Sequence, residues 1–356
     1  MVGVRLENVE KYLTGVKILD NISFEVKDKE FFTLIGPSGC GKTTTLRIIA
    51  GLLKPDKGNV YFDGRLMNDV PPEKRNITMV FQNFALMPHM TVFDNIAFGL
   101  KMRGWSQEDI KRRVREVMEL LRIEGLENKK PHQLSGGQQQ RVGVARALAP
   151  NPDVILFDEP LSNVDAVLRE QLRFEIRDLM KKLGITSIYV THDQAEALVV
   201  SDRLAIMSKG RIIQIGTPDE IYRRPANTFV AGFLGVVNLI KGRVVSRTPE
   251  GYFEFQTSEG ARLLARESLI PVGGEGFAVI RPEHIQLEPS APRHNVFEAM
   301  IVRKTFLGST VDVRLSVANL GELRTFVKTG SAEAEKQRLT VYINPDDVII
   351  VPEATT

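Results

Sequence analysis

The chain has 356 residues, enough for two hydrophobic cores. Hydrophobic residues make up 43% and charged residues 26%, values that exclude a largely disordered chain. Lys and Arg number 47 against 44 Asp and Glu, and this net charge of +3 argues against a nucleic-acid-coating surface.

The single cysteine, Cys40, allows no intrachain disulfide and fits a reducing compartment. No N-terminal stretch has the order of a signal peptide. No run approaches about 18 consecutive apolar residues, so any membrane role is expected to go through partners. In chain order, Phe31-Phe32-Thr33-Leu34-Ile35 is a short apolar run ending at Gly36. Residues 43–53 have helical spacing, with Gly51 and Pro55 near the end. Ser106-Gln107-Glu108-Asp109 reads as a capping box, followed by Ile110, Val114, Val117, Met118 and Leu121 at helical spacing. This predicts a helical insertion in an α/β domain. Val154-Ile155-Leu156-Phe157 is apolar throughout, the pattern of a strand covered on both faces. Residues 185–190 predict a third strand, and Leu204-Ala205-Ile206-Met207 and Ile212-Ile213-Gln214-Ile215 predict a hairpin around Lys209-Gly210. Residues 218–235 read as a connection. Beyond them, runs such as Gly242-Arg243-Val244-Val245, Phe277-Ala278-Val279-Ile280, Val311-Asp312-Val313-Arg314-Leu315 and Val348-Ile349-Ile350-Val351 predict a small all-β barrel. The expected domains are therefore 1–235, with a helical subdomain at about 84–150, and 236–356.

Gly36-Pro37-Ser38-Gly39-Cys40-Gly41-Lys42-Thr43 fits the pattern G-x-x-x-x-G-K-[ST]. Glycines let backbone N–H groups wrap an oxyanion, and the following helix aims its N-terminal dipole at the phosphates. Lys42 is expected to reach the β- and γ-phosphates and the Thr43 hydroxyl to bind Mg²⁺, with Thr44 joining the nucleotide-binding set. The apolar strand 154–157 ends in Asp158-Glu159-Pro160. Asp158 is assigned to the Mg²⁺ shell and Glu159 to polarising the attacking water. Acidic loops after strands are common, so this assignment leans on the phosphate loop upstream.

Leu134-Ser135-Gly136-Gly137-Gln138 is the third element. Ser135 can cap the helix that follows, and Gly136 and Gly137 leave their amides open to an anion. With both motifs above, these residues resemble the ABC ATPases. The resemblance implies that this stretch of one subunit closes over the γ-phosphate held by another, so that Ser135, Gly136, Gly137 and Gln138 bind nucleotide in a dimer. It also implies roles for four further residues. Gln82, in Met79-Val80-Phe81-Gln82-Asn83, is similar to the Q-loop glutamine that senses Mg²⁺ and water. Asp165, in Leu161-Ser162-Asn163-Val164-Asp165, resembles the D-loop aspartate, with Val164 where the family usually has Leu. His192 resembles the switch histidine that contacts the γ-phosphate, and Tyr12 the aromatic that stacks on adenine.

The C-terminal part resembles the regulatory domain of ATPases in binding-protein-dependent importers. The residues that carry this are Val279-Ile280-Arg281-Pro282-Glu283-His284-Ile285, Phe306-Leu307-Gly308 and Ile343-Asn344-Pro345-Asp346-Asp347. The whole resemblance implies a P-loop ABC ATPase domain with a helical subdomain, plus a C-terminal OB-like (TOBE-type) domain. It implies ATP and Mg²⁺ as cofactors and a second copy of the chain as partner. Membrane permease subunits, an extracytoplasmic solute-binding protein acting indirectly, and a place on the inner face of the cell membrane follow from it too. Nucleic acid is not an expected partner. Phe84-Ala85-Leu86-Met87-Pro88-His89-Met90 is the expected coupling surface, as an apolar segment that suits a permease helix. Residues 229–239 are closer to the polyamine, ferric-ion and oxyanion importers than to the sugar importers. The alternative function is a soluble ABC ATPase acting on ribosomes or DNA. Such proteins usually carry two ATPase domains or a long coiled coil, and this chain has one phosphate-loop motif and no sustained heptads.

Overall fold

A computed structural model describes residues 2–288, 295–331 and 337–354, which divide into two compact units, Met1–Pro218 and Asp219–Thr356. In the first unit the elements run β1 (Val4–Leu13), β2 (Val16–Val26), β3 (Phe31–Ile35), α1 (Lys42–Ala50), β4 (Lys57–Phe62), β5 (Arg65–Leu66), β6 (Ile77–Val80), α2 (Val92–Met102), α3 (Gln107–Leu120), α4 (Gly136–Leu148), β7 (Val154–Asp158), α5 (Ala166–Leu183), β8 (Thr186–Thr191), α6 (Gln194–Val200), β9 (Arg203–Ser208) and β10 (Arg211–Gly216).

The central sheet has the order β10-β9-β3-β8-β7-β6. Strands β9, β3, β8, β7 and β6 are parallel, and β10 closes one edge antiparallel to β9. Every residue of β3, β7 and β8 is buried, because helices cover one face and a second sheet the other. That second sheet, β2-β1-β4-β5, is antiparallel. Its apolar face and helix α1 share a core with Phe32, Leu34, Leu156 and Val190 of the central sheet. On the opposite face Phe31, Phe157 and Tyr189 cluster, with ring centroids 5.7–6.2 Å apart, against α2, α3, α4 and α5.

Local sequence sets the helix ends. Helix α1 stops at Gly51, whose φ of 78° is the left-handed cap, so it ends short of the predicted residue 53. Helix α3 starts at Ser106, whose Oγ accepts from the Asp109 amide at 3.1 Å, and it buries Ile110, Val114, Val117 and Met118 as their spacing predicts. The buried Arg75 closes the same end of α1 by donating to the carbonyls of Ile48 and Ile49 at 3.0 and 2.6 Å.

The second unit begins with two short helices, α7 (Pro218–Arg223) and α8 (Thr228–Phe233), where the sequence reading expected only a connection. The boundary expected at 235 therefore falls at 218. The cause is Arg281, a buried guanidinium that donates to Ala231 O and Val236 O at 2.9 and 3.3 Å and to Tyr222 O at 3.2 Å. These bonds fix both helices to the β structure. The strands are β11 (Asn238–Arg247), β12 (Phe253–Thr257), β13 (Arg262–Ala265), β14 (Glu267–Ser268), β15 (Glu275–Ile280), β16 (Ile285–Gln286), β17 (Asn295–Phe306), β18 (Thr310–Val317), β19 (Gly321–Lys328), β20 (Arg338–Ile343) and β21 (Ile349–Val351). They form sheets of order β13-β12-β11-β15-β21-β14 and β16-β20-β17-β18-β19, which enclose one apolar core.

Candidate functional site

The site lies at the C-terminal ends of β3, β7 and β8. The turn from β3 into α1 requires its glycines. A Cβ on Gly36 would lie 2.2 Å from Met207 O, and Gly41 holds a φ of 105° while a Cβ there would meet Leu19 Cδ2 at 2.5 Å. Pro37, Ser38 and Gly39 are exposed, and Cys40, Gly41 and Lys42 are buried. Lys42 Nζ donates to Gly36 O at 2.8 Å and Pro37 O at 3.0 Å, so its ammonium is held inside its own loop. Burial pushes the Cys40 thiol pKa up, which keeps it protonated and unreactive.

Thr43 and Asp158 meet across the base of this loop. Thr43 Oγ1 donates to Asp158 Oδ1 at 2.8 Å. Burial raises the Asp158 pKa, the Thr43 hydroxyl lowers it in part, and the neighbouring Glu159 charge raises it again. A hydroxyl beside a carboxylate is a set of hard oxygen donors, and that chemistry fits Mg²⁺.

Glu159 follows with a φ of 47°, a left-handed conformation uncommon for a residue with a Cβ. Its amide donates to Val190 O at 2.9 Å, which ties the end of β7 to β8. Its carboxylate Oε2 lies 2.8 Å from His192 Nδ1, and the His192 side chain is about half exposed. A cleft is lined by Ser38, Gly39, Gly41, Lys42, Thr43, Thr44 and Glu159, with Leu13 and Ile18 as its apolar wall. Tyr12, expected against adenine, is exposed at the neighbouring strand position, with Lys17 Nζ 5.8 Å from its ring centroid. Leu13 and Ile18 escaped the sequence reading. They sit on either side of the Thr14-Gly15 turn, where no motif marks them.

Gln82 is exposed on the turn after β6, and its carbonyl accepts from Asn163 Nδ2 at 3.0 Å. Among the described residues no hydrogen bond joins its side chain to Thr43 or Asp158. Phe84, expected on a docking surface, is instead buried in the helical core. Arg146 of α4 donates to the carbonyls of Phe84 and Ala85 and holds both in left-handed conformations. Ala85, Pro88 and His89 remain exposed.

Ser135 caps α4 in a full capping box. Its Oγ accepts from the Gln138 amide at 3.3 Å, and Gln138 Oε1 accepts from the Ser135 amide at 3.1 Å. Gly136 is exposed, and Gly137 is buried against Leu168. Asp165 caps α5 by accepting from the Leu168 amide at 3.0 Å. Among the described residues no hydrogen bond or ion pair joins residues 135–138 to the phosphate loop. One chain thus brings together the phosphate loop, Asp158, Glu159 and His192, while the capped glycines of α4 stand apart from them.

Comparison with known proteins bears on this arrangement. Residues 19–162 match the family described as ABC transporter, and residues 278–351 match the TOBE domain. The spermidine/putrescine import ATP-binding protein PotA of Thermotoga maritima is 45% identical over 314 residues, covering 86% of this chain and 85% of that protein. The trehalose/maltose import ATP-binding protein MalK of Thermococcus litoralis is 46% identical over 351 residues, covering 94% and 92%. The Fe(3+) ions import ATP-binding protein FbpC of Fusobacterium nucleatum is 51% identical over 307 residues, covering 86% and 81%. A solved dimeric structure of the ATP-binding cassette MJ0796, in a post-hydrolysis state bound to ADP and Pi, superposes with a TM-score of 0.55 at 36% identity. It covers 60% of this chain and 98% of that one. With a phosphate loop, an acidic strand end and a capped glycine pair in one fold, and relatives of this identity along most of its length, the chain belongs to the ABC transporter family, as an ATP-hydrolysing subunit of the importer class.

Proposed function

We propose that the chain hydrolyses ATP with Glu159 as general base and works as one half of an ATP-sandwich dimer that drives a binding-protein-dependent importer. The observation that carries this reading is the pairing of Glu159 Oε2 with His192 Nδ1 at 2.8 Å, beside the Thr43–Asp158 contact and over the phosphate loop. Glu159 accepts the proton of the water that attacks the γ-phosphate, and His192 orients its carboxylate. Lys42 exchanges its two loop carbonyls for phosphate oxygens, and the amides at the N-terminus of α1 cradle them. Thr43, Asp158 and Gln82 would hold Mg²⁺, which neutralises charge on the phosphates when bound. The apolar wall at Leu13 and Ile18, with Tyr12 next to it, receives the base.

Ser135, Gly136, Gly137 and Gln138 complete the site of a second copy, and Asp165 lines the same dimer face. The MJ0796 cassette named above is dimeric, which supports this assembly. Permease subunits dock near Ala85, Pro88 and His89, and the chain sits on the inner face of the membrane through them. No helix among the described residues is long and apolar enough to cross a membrane. A solute-binding protein delivers substrate to that complex. The relatives' names range over spermidine/putrescine, trehalose/maltose and Fe(3+), at 45–51% identity. Substrate choice therefore rests with the other subunits, and residues 229–239 favour a polyamine, ferric ion or oxyanion over a sugar. The ribosome or DNA alternative draws nothing from relatives whose names are those of import proteins.

In the test, Glu159→Gln keeps ATP binding and lowers turnover by about 10²–10⁴-fold, the range of a positioned base. Turnover within a few-fold of the parent chain removes the assignment. Lys42→Ala, by contrast, weakens nucleotide binding itself.

A further inference from the structure

We infer that Arg169 is a positioning residue for hydrolysis, clasping the loop that carries Glu159 to the loop that carries His192. The inference rests on the reading of Glu159 and His192 given above. One backbone bond, from the Glu159 amide to Val190 O, joins the two loops, and side chains make the remaining links between them.

Arg169 lies in the first turn of α5. Its Nη2 donates to Val164 O at 2.9 Å and Ser162 O at 3.4 Å, both in the loop after Glu159. Ser162 bonds back to Glu159, its amide and hydroxyl donating to Glu159 O at 3.2 and 3.0 Å. Arg169 Nη1 lies 3.6 Å from Asp193 Oδ2, on the residue that follows His192. Asp193 is itself pinned. Its Oδ1 accepts from the Glu196 amide at 3.1 Å, and its own amide donates to Thr191 Oγ1 at 2.9 Å. The flanks of His192 therefore cannot shift without moving the Asp193 carboxylate. A cation in the first turn of a helix opposes the helix dipole, so local propensity does not explain an arginine here. A planar guanidinium that donates through Nη2 to two carbonyls while Nη1 faces a carboxylate does, and lysine lacks that geometry.

The test uses the full chain, measuring steady-state ATPase, ATP affinity by equilibrium binding, and thermal melting. Arg169→Met lowers kcat about tenfold, with ATP affinity within about twofold of the parent. Asp193→Asn keeps the cap on α6, since Asn caps as well as Asp, and lowers kcat by about threefold or more. Because Asp193 acts on the site through Arg169, Arg169→Met/Asp193→Asn falls no further than Arg169→Met alone. If Arg169→Met does not fold, Arg169→Lys with Asp193→Asn forms the same cycle. Single variants with parental kcat, effects that multiply in the double variant, or a lowered melting temperature with unchanged kcat each overturn the clasp. The two readings separate cleanly. Glu159→Gln that retains turnover removes the base and this role with it, whereas an inactive Glu159→Gln beside a fully active Arg169→Met removes the clasp alone.

Discussion

At the scale of single residues, the nucleotide site places groups where their own chemistry resists. Glu159 occupies a left-handed backbone, Lys42 is buried, and Asp158 carries a carboxylate that burial pushes toward its neutral form. Beneath His192 the buried Glu196 extends this pattern. Its Oε2 accepts from Thr191 Oγ1 at 2.7 Å and Tyr189 OH at 3.0 Å, and burial raises its pKa despite both bonds. Asp193 raises it further, and Arg169 lowers it. The sign for stability follows from linkage. A carboxyl whose folded pKa lies above its unfolded value favours folding at low pH, and that contribution is lost as pH rises through the folded pKa. Glu196→Gln removes this titration. Melting curves of the parent and Glu196→Gln are thus expected to differ by a constant below the ordinary carboxylate range, and the parent to lose ground steadily above it. Parallel profiles from the ordinary carboxylate range upward contradict the assignment. Asp158, Glu159 and the phosphate loop were legible in the sequence because their chemistry fixes residue type and spacing together. Glu196 and Arg169 were not, since a buried carboxylate and a clasping guanidinium are defined by partners distant in the chain.

At the scale of elements, the strands buried on both faces and the amphipathic helix α3 were readable from hydrophobic periodicity alone. The antiparallel layer was not. Strand β1 shifts register against β2 after Leu6, Val9 and Lys11, and those irregularities break the alternation that would mark a strand. Helix α4 yields a distinction that the sequence could not make between its two glycines. A side chain at Gly137 would drive its Cβ to 2.5 Å from Leu168 Cδ2, whereas the nearest atom to a Cβ at Gly136 is Asn163 O at 3.8 Å. A carboxylate that is to probe the partner's γ-phosphate therefore belongs at Gly136. Two unit charges about 4 Å apart at an effective dielectric of about 20 repel by about 4 kcal/mol. Gly136→Asp is expected to block ATP-driven dimerisation, read by light scattering, while melting within about 2 °C of the parent as an exposed substitution does. Gly137→Asp should lose stability as well. Full dimerisation of Gly136→Asp would show that α4 does not face the nucleotide of a second copy.

At the scale of the whole molecule, the cores of the first unit draw their buried residues from positions 4 to 207, and that of the β unit from positions 240 to 350. Every residue proposed for nucleotide chemistry lies between Tyr12 and His192. A chain truncated after Pro218 is expected to fold, to bind ATP, and to recover turnover at raised protein concentration if dimerisation is all that the β unit supplies. A chain truncated after Gly235 should fare worse, because it keeps α7 and α8 without the β15 and β21 residues Val279, Ile349 and Val351 that bury Ala231. Comparing soluble yield and melting of the two truncations checks this, and equal behaviour would place the boundary at 235 after all. The three-carbonyl grip of Arg281 carries a further consequence for descent. A recombination event that joins the ATPase of one importer to the regulatory unit of another meets different costs at different crossover points. A crossover at 218 hands over α7 and α8 together with the arginine that binds them. One at 235 pairs an inherited guanidinium with foreign carbonyls, and any misfit strands a buried cation at a penalty of several kcal/mol. The seam at 218 is therefore where such chimaeras can survive, and the β unit can be inherited as a portable piece.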